Sequence, residues 1–172
     1  MRRILLLTAM LLSFSQIHGQ DNCSSAVTLC ANSSTTRSTV GATIQGSDPG
    51  LPCGDGILNN NVWFTVIATN NGTCTVTVSN IDNNPGLDMA VYTGSCGSMS
   101  YYGYCASGSS ATGRTMNVSF PITTGSTYYI MVDGSSGNQE AFDIVATTGN
   151  NSIVARPDAN FNTDPSYGDR KS

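Results

Sequence analysis

The segment from Thr73 to Ser79 reads TCTVTVS. Side chains alternate along an extended chain, so Cys74, Val76 and Val78 share one face and Thr73, Thr75 and Thr77 the other. One face packs and the other meets water, as in an antiparallel sheet covered on one side. The same short rhythm recurs in NVWFTVIA (Asn61 to Ala68), LDMAVYT (Leu87 to Thr93), RTMNVSF (Arg114 to Phe120), STYYIMVD (Ser126 to Asp133) and AFDIVAT (Ala141 to Thr147). Clusters of Gly, Asn, Asp and Ser separate these runs, which is the pattern of strands and turns. Weaker runs, Ala26 to Cys30 and Ser38 to Gln45, add strands near the N-terminus. No amphipathic stretch long enough for a stable helix follows the first twenty residues. Strands without helices must bury their apolar faces against another sheet. The expected fold is therefore all-β, an antiparallel β-sandwich of jelly-roll type with about eight or nine strands. Trp63, between Val62 and Phe64, belongs in or near its core.

The first twenty residues have a different character. MRRILLLTAMLLSFSQIHGQ opens on Arg2 and Arg3, continues with an apolar run from Ile4 to Leu12, and ends on small and weakly polar residues. That run is too short to span a bilayer and reads as a secretory signal peptide, cut after Gly19 or Gln20. The expected localisation is secreted or at the cell surface, with no insertion into the membrane. In an oxidising compartment an even number of cysteines favours disulfides, and no C-x-x-C pair suggests a metal thiolate. Six cysteines allow fifteen pairings. The nine-residue interval between Cys96 and Cys105 suits a bridge across a hairpin or adjacent loop, and Cys23 with Cys53 and Cys30 with Cys74 complete the expected set.

The 172 residues leave room for one domain of ordinary size. It is expected from 21 to 148, after a signal peptide from 1 to 20. From Gly149 to Ser172 the chain carries Pro157, Pro165 and many Asn and Asp residues, and reads as a polar linker or tail. Its RPDANFN fragment could also open a further domain, which would make this the front of a longer protein.

Charge and histidine content exclude several functions. Without Arg2 and Arg3, five basic residues face eleven acidic ones, a net charge of −6. Such a surface cannot neutralise phosphates, which argues against nucleic acid and anionic membranes as partners. The one histidine, His18, lies in the signal peptide, so the mature chain has no Ser-His-Asp or Cys-His machinery and no H-E-x-x-H zinc site. The only glutamate is Glu140, and no spacing sets two carboxylates across a glycosidase cleft. The chain is expected not to be an enzyme.

Two groups of residues remain as candidate sites. In Asp82-Asn83-Asn84-Pro85-Gly86-Leu87-Asp88, oxygen-bearing side chains stand at the first, third and seventh positions around a flexible glycine. Calcium takes six to eight oxygen ligands from such loops. Asp82, Asn84 and Asp88 are the candidate ligands, joined by Asp133 if its loop lies at the same end of the sandwich. The competing reading is a polar turn shaped by Asp and Asn. The second group is Tyr101, Tyr102 and Tyr104, flat rigid surface suited to sugars or protein partners if exposed. Strands favour tyrosine for packing as well, and alternation would bury some of these rings.

The order NVWFTVIATNNGTCTVTVSN, GLDMAVYTGSCGSMSYYGYC, FPITTGSTYYIMVDGSSGNQEAFDIVAT resembles the bacterial pre-peptidase C-terminal domain over roughly Asp21 to Thr148. What the resemblance implies is a β-sandwich accessory module of secreted peptidases, adhesins and other surface proteins, without catalysis of its own. Some relatives bind calcium, and some bind matrix proteins or polysaccharides. The expected function is a secreted module for adhesion or substrate targeting, with calcium as the expected ion and extracellular polysaccharide or protein matrix as partner. Two alternatives stand beside it: the N-terminal accessory domain of a secreted peptidase or glycosidase, and a carbohydrate-binding module.

Overall fold

The computed structural model describes residues 20–82, 86–108 and 115–155. The expected signal peptide as far as Gly19, the candidate ligand Asn84 and the tail from Arg156 onwards lie outside the described residues. Among the described residues nine strands form: β1 (Val27–Thr28), β2 (Thr35–Ser38), β3 (Val62–Ile67), β4 (Gly72–Ser79), β5 (Leu87–Ser95), β6 (Ser98–Ser107), β7 (Thr115–Ile122), β8 (Thr127–Gly134) and β9 (Ala141–Thr148). They make one sheet in the order β1-β3-β8-β5-β6 and another in the order β2-β9-β4-β7. From β2 onwards every connection crosses between the sheets except the β5–β6 hairpin. That is the connectivity of a jelly roll. The short β1 departs from it, running parallel to β3 with Val27 opposite Phe64.

The two sheets are covered differently. In the four-stranded sheet the alternation read from TCTVTVS holds: Cys74, Val76 and Val78 are fully buried on β4, and Met116, Val118, Phe120 and Ile122 face inward from β7. The central strands of the five-stranded sheet are buried on both faces. On β5, Leu87, Met89 and Val91 enter the main core between the sheets, whereas Ala90 and Tyr92 enter a second cluster with Cys23, Leu51, Trp63 and Met131. The second cluster lies on the outer face, beneath the chain that leads from β2 to β3. Trp63 belongs to it and meets Tyr92 edge to face, with ring centroids 5.7 Å apart. Its indole N–H donates to Asp48 at 3.2 Å, and Tyr92 Oη donates to the Gly50 carbonyl at 2.9 Å. These bonds fasten the covering segment to the sheet.

Backbone on either side of 21–148 also bonds to the five-stranded sheet. The Trp63 amide donates to the Gln20 carbonyl at 2.8 Å, and the Val154 amide to Ile67 at 3.1 Å. Ile153, almost fully buried, bridges to Ala68. Two apolar residues inside a polar stretch were enough to dock it. The weaker N-terminal run is also displaced, since the strand there is Thr35–Ser38 rather than Ser38 to Gln45.

Most instructive is β6, a ten-residue strand absent from the expected set. Its sequence, SMSYYGYCAS, carries serine and glycine where alternation would place apolar residues, and its register against β5 shifts between Ala90 and Tyr92. Its formation overturns the Cys96–Cys105 pairing. Cys96 sits at the hairpin turn, while Cys105 lies opposite Ala90, seven residues beyond Ser98 and so roughly 23 Å along the strand. A disulfide needs Cα atoms about 4.4–6.8 Å apart. Cys96 instead bonds to Cys23, 73 positions away in sequence, with Cα atoms 5.7 Å apart. This removes the Cys23–Cys53 pairing as well. Cys30, Cys53, Cys74 and Cys105 are thiols in this structure, so Cys30 and Cys74 are not bridged either.

Candidate functional site

Strict alternation along β5 and β8 carries one polar residue from each strand onto the outer face. Asp88 follows Leu87 and precedes Met89, both inward, and Asp133 follows the inward Val132. The strands are antiparallel with Asp88 directly opposite Asp133. On the far side of Asp88, Ser107 of β6 is its register partner. Val62 of β3 pairs with Val132 of β8, so Asn61 stands one step further, beside Asp133. Ser107, Asp88, Asp133 and Asn61 thus form a polar row across four strands at one end of the second cluster.

The segment from Cys53 to Asn60 closes over this row. The amides of Asn59 and Asn60 both donate to Asp133 Oδ1, at 3.1 and 2.9 Å. Asn60 holds the neighbouring backbone: its Oδ1 accepts from the Gly134 amide at 3.0 Å and its Nδ2 donates to the Asn138 carbonyl at 2.8 Å. Asp55 accepts from the Ser136 amide at 2.7 Å and from the Ile57 amide at 2.9 Å. Gly54 lies directly over the Asp88 carboxyl, where a Cβ would come within 2.3 Å of it, and its φ of +70° is itself a conformation that suits glycine. Cys53 Sγ rests 3.8 Å from the carbonyls of Met89 and Ala106.

The result is a pair of carboxylates sealed from solvent. Asp88 and Asp133 are each 0% exposed. Among the described residues, no hydrogen bond of ordinary geometry reaches either Asp88 oxygen, Asp133 Oδ2 or Asn61 Oδ1. Burial pushes the Asp133 carboxyl up to about 6, against the pull of the two amides, and the nearby Asp88 and Asp55 push the same way. Burial raises Asp88 too; Ser107 and Ser135 lie close enough to offset part of this. Asp55 is held below the usual carboxylate range, chiefly by its bond from Ile57. Among the described residues the only cationic side chain is Arg37, on the other sheet, where its Nη1 donates to the Thr36 carbonyl. The pair therefore has no counter-ion among the described residues.

Buried carboxylates without partners are costly, and they are relieved by a proton or a cation. The donor set fits a hard cation that takes carboxylate and amide oxygens, as calcium does. Among the described residues no group of three or more His, Cys, Asp or Glu side chains is disposed to hold a metal. The remaining ligands would have to be neutral oxygens such as that of Asn61, which calcium accepts and zinc does not favour. The same burial leaves no access for a substrate to the two carboxyls.

Of the four ligands named from sequence, the structure brings Asp88 and Asp133 together. Asp82 is exposed, its amide donating to Glu140 Oε2 at 2.7 Å, and Asn84 lies outside the described residues. Asn61, Ser107, Gly54 and Asp55 were missed. Their signal was an Asp placed inside runs apolar on both faces, LDMAVY and YIMVD, which marks a buried carboxylate needing partners from elsewhere.

The tyrosines do not form one surface. Tyr102 and Tyr104 are partly buried against the edge of the main core, where Tyr102, Tyr104, Phe120 and Tyr128 make a cluster with centroids 5.2–6.3 Å apart. Tyr102 Oη donates to the Pro121 carbonyl at 3.2 Å, closing the side of the sandwich between β6 and β7. Tyr101 faces outward, 43% exposed, with its ring against Tyr92.

No family model matches the sequence, and no curated protein matches it. Among solved structures, the chain is similar to the pre-peptidase C-terminal domain of a collagenase from Bacillus anthracis. The identity is 15%, over 71% of this chain and 94% of that one, with a TM-score of 0.46. It is also similar to a family 35 carbohydrate binding module from an environmental isolate, at 19% identity over 79% and 98% of the two chains, with a TM-score of 0.38. The β-sandwich assignment rests on the two sheets themselves. No helix among the described residues is long and apolar enough to cross a membrane.

Proposed function

We propose that the chain is an exported β-sandwich module without catalysis of its own, stabilised by calcium at the Asp88–Asp133 pair and serving adhesion or substrate targeting. The observation that carries this reading is the buried, mutually facing carboxylate pair, with three oxygens unpartnered and no cationic side chain beside it among the described residues. A group of this kind holds structure rather than turning over substrate. Asp88, Asp133 and Asn61 are the residues that would hold the ion. When bound, calcium supplies the missing positive charge and joins the covering segment to the sheet.

The test is thermal melting of the mature chain in chelator and across micromolar to millimolar calcium. A ligand that binds only the native state raises its stability as RT ln(1 + [L]/Kd). The expected result is a rising midpoint that Asp88→Asn abolishes; an unchanged midpoint removes calcium from the account. Targeting is tested separately, by depletion of the chain from solution over insoluble polysaccharides and fibrillar matrix protein. Depletion by one of these without release of soluble sugar or peptide supports a targeting module. Retention of the chain in solution with both, or release of products, overturns that part.

A further inference from the structure

Cys53 and Cys105 lie beside one another on the outer face of the five-stranded sheet. Cys105 projects from β6 on the same side as its register partner Ala90 and packs against the second cluster. Leu51, buried in that cluster, brings the covering segment down onto the face two residues before Cys53. Cys53 Sγ lies 3.8 Å from the carbonyls of Met89 and of Ala106, the residue next to Cys105, and burial followed by the Cys105 side chain push the Cys53 thiol up. Both thiols are only partly buried, so a small oxidant can reach them.

We infer that Cys53 and Cys105 form a second disulfide in the exported protein, and that this bridge locks the Cys53–Asn60 segment over the Asp88–Asp133 pair. The inference rests on the reading of the chain as exported. In the reaction, the Cys105 thiolate attacks a disulfide of a thiol–disulfide oxidoreductase or a small-molecule disulfide, releasing one thiol and leaving a mixed disulfide. Cys53 then displaces the second thiol. One S–S bond forms in the chain, its two thiols lose two protons and two electrons, and the oxidant's disulfide is reduced to two thiols. The bridge ties the covering segment to β6, an edge strand. With Gly54 over Asp88 and the Asn59 and Asn60 amides on Asp133 Oδ1, it turns a hydrogen-bonded cover into a covalent one.

The test is disulfide mapping of the full chain recovered from the exported fraction, alkylated on harvest and digested with pepsin at acid pH, where thiol–disulfide exchange stops. The expected result is a peptide joining Cys53 to Cys105 beside one joining Cys23 to Cys96. If Cys23–Cys96 is bridged while Cys53 or Cys105 is alkylated, or either is joined to another cysteine, the inference is overturned and the export reading stands. If all six cysteines are alkylated, both fall. A second measurement uses the unfolding midpoints of Cys53→Ser, Cys105→Ser and the double variant. A bridge makes the three losses equal, since breaking it at either end removes it once; losses that add refute it.

Discussion

Replacing Asp133 by asparagine should stabilise the calcium-free protein at neutral and alkaline pH, although it removes a buried residue that accepts two backbone hydrogen bonds. The amide oxygen can keep the bonds from Asn59 and Asn60, while the new NH2 takes the position of Oδ2, which has no partner and faces Asp88. Asp133 has a folded pKa of about 6 against an ordinary 3.8, so the native state holds its proton more tightly than the unfolded chain. The stability this provides is fully present below about pH 4 and is lost as pH rises through about 6. At about 1.4 kcal/mol per pKa unit, the loss approaches about 3 kcal/mol. Asparagine does not titrate and avoids it. In chelator at pH 8, Asp133→Asn should therefore unfold at higher urea, with a gain of about 2–3 kcal/mol and a melting midpoint higher by on the order of 10 °C. The advantage should fade towards pH 4, where wild-type Asp133 is protonated. Millimolar calcium should reverse the order, because only the wild type keeps both carboxylates for the ion. Urea curves at several pH values, with and without calcium, read all three effects. Parallel pH profiles for the two proteins, or a variant less stable than wild type at pH 8 in chelator, would refute the reasoning.

Gly54→Ala places a methyl group within 2.3 Å of the Asp88 carboxyl at a φ of +70°, so it should cost about 2 kcal/mol or more by urea unfolding and weaken the calcium response. Gly134→Ala is harsher, since its Cβ would fall 1.7 Å from the Asn138 carbonyl oxygen; a soluble protein with wild-type stability would contradict the packing at the end of β8. Tyr102→Ala should lose about 3 kcal/mol, because the ring closes the aromatic cluster between β6 and β7, whereas Tyr101→Ala should lose less than about 1 kcal/mol. Equal losses at these two positions would mean that the alternation along β6 is misassigned.

Much of the sandwich was legible because alternation is a local property. TCTVTVS declares its inward face without reference to any partner, and its partners on β7 and β9 carry the same pattern, exposed and buried residues alternating along the whole of β7. β6 was not legible, because what holds it as a strand is pairing with β5 rather than its own pattern. Its tyrosines divide accordingly: Tyr102 and Tyr104 share a face, as residues two apart in a strand must, and that face packs against the main core, while Tyr101 stays exposed. The disulfide failed for the same reason. Nine residues in a loop can bring their ends together, but the same residues in a strand hold them far apart.

The sequence by itself determined that the chain is all-β, where most strands lie and which side of each packs, since a period of two fixes the faces once the backbone is extended. It also determined that Asp88 and Asp133 interrupt otherwise apolar runs. Only the tertiary structure decided that these two residues, 45 positions apart, stand opposite one another. It likewise decided that the segment leading into β3 folds over the outer face to bury them. The physical reason is that strand order and the covering of a face are set by long-range pairing and packing, and a carboxylate becomes a site only when its surroundings take its water away.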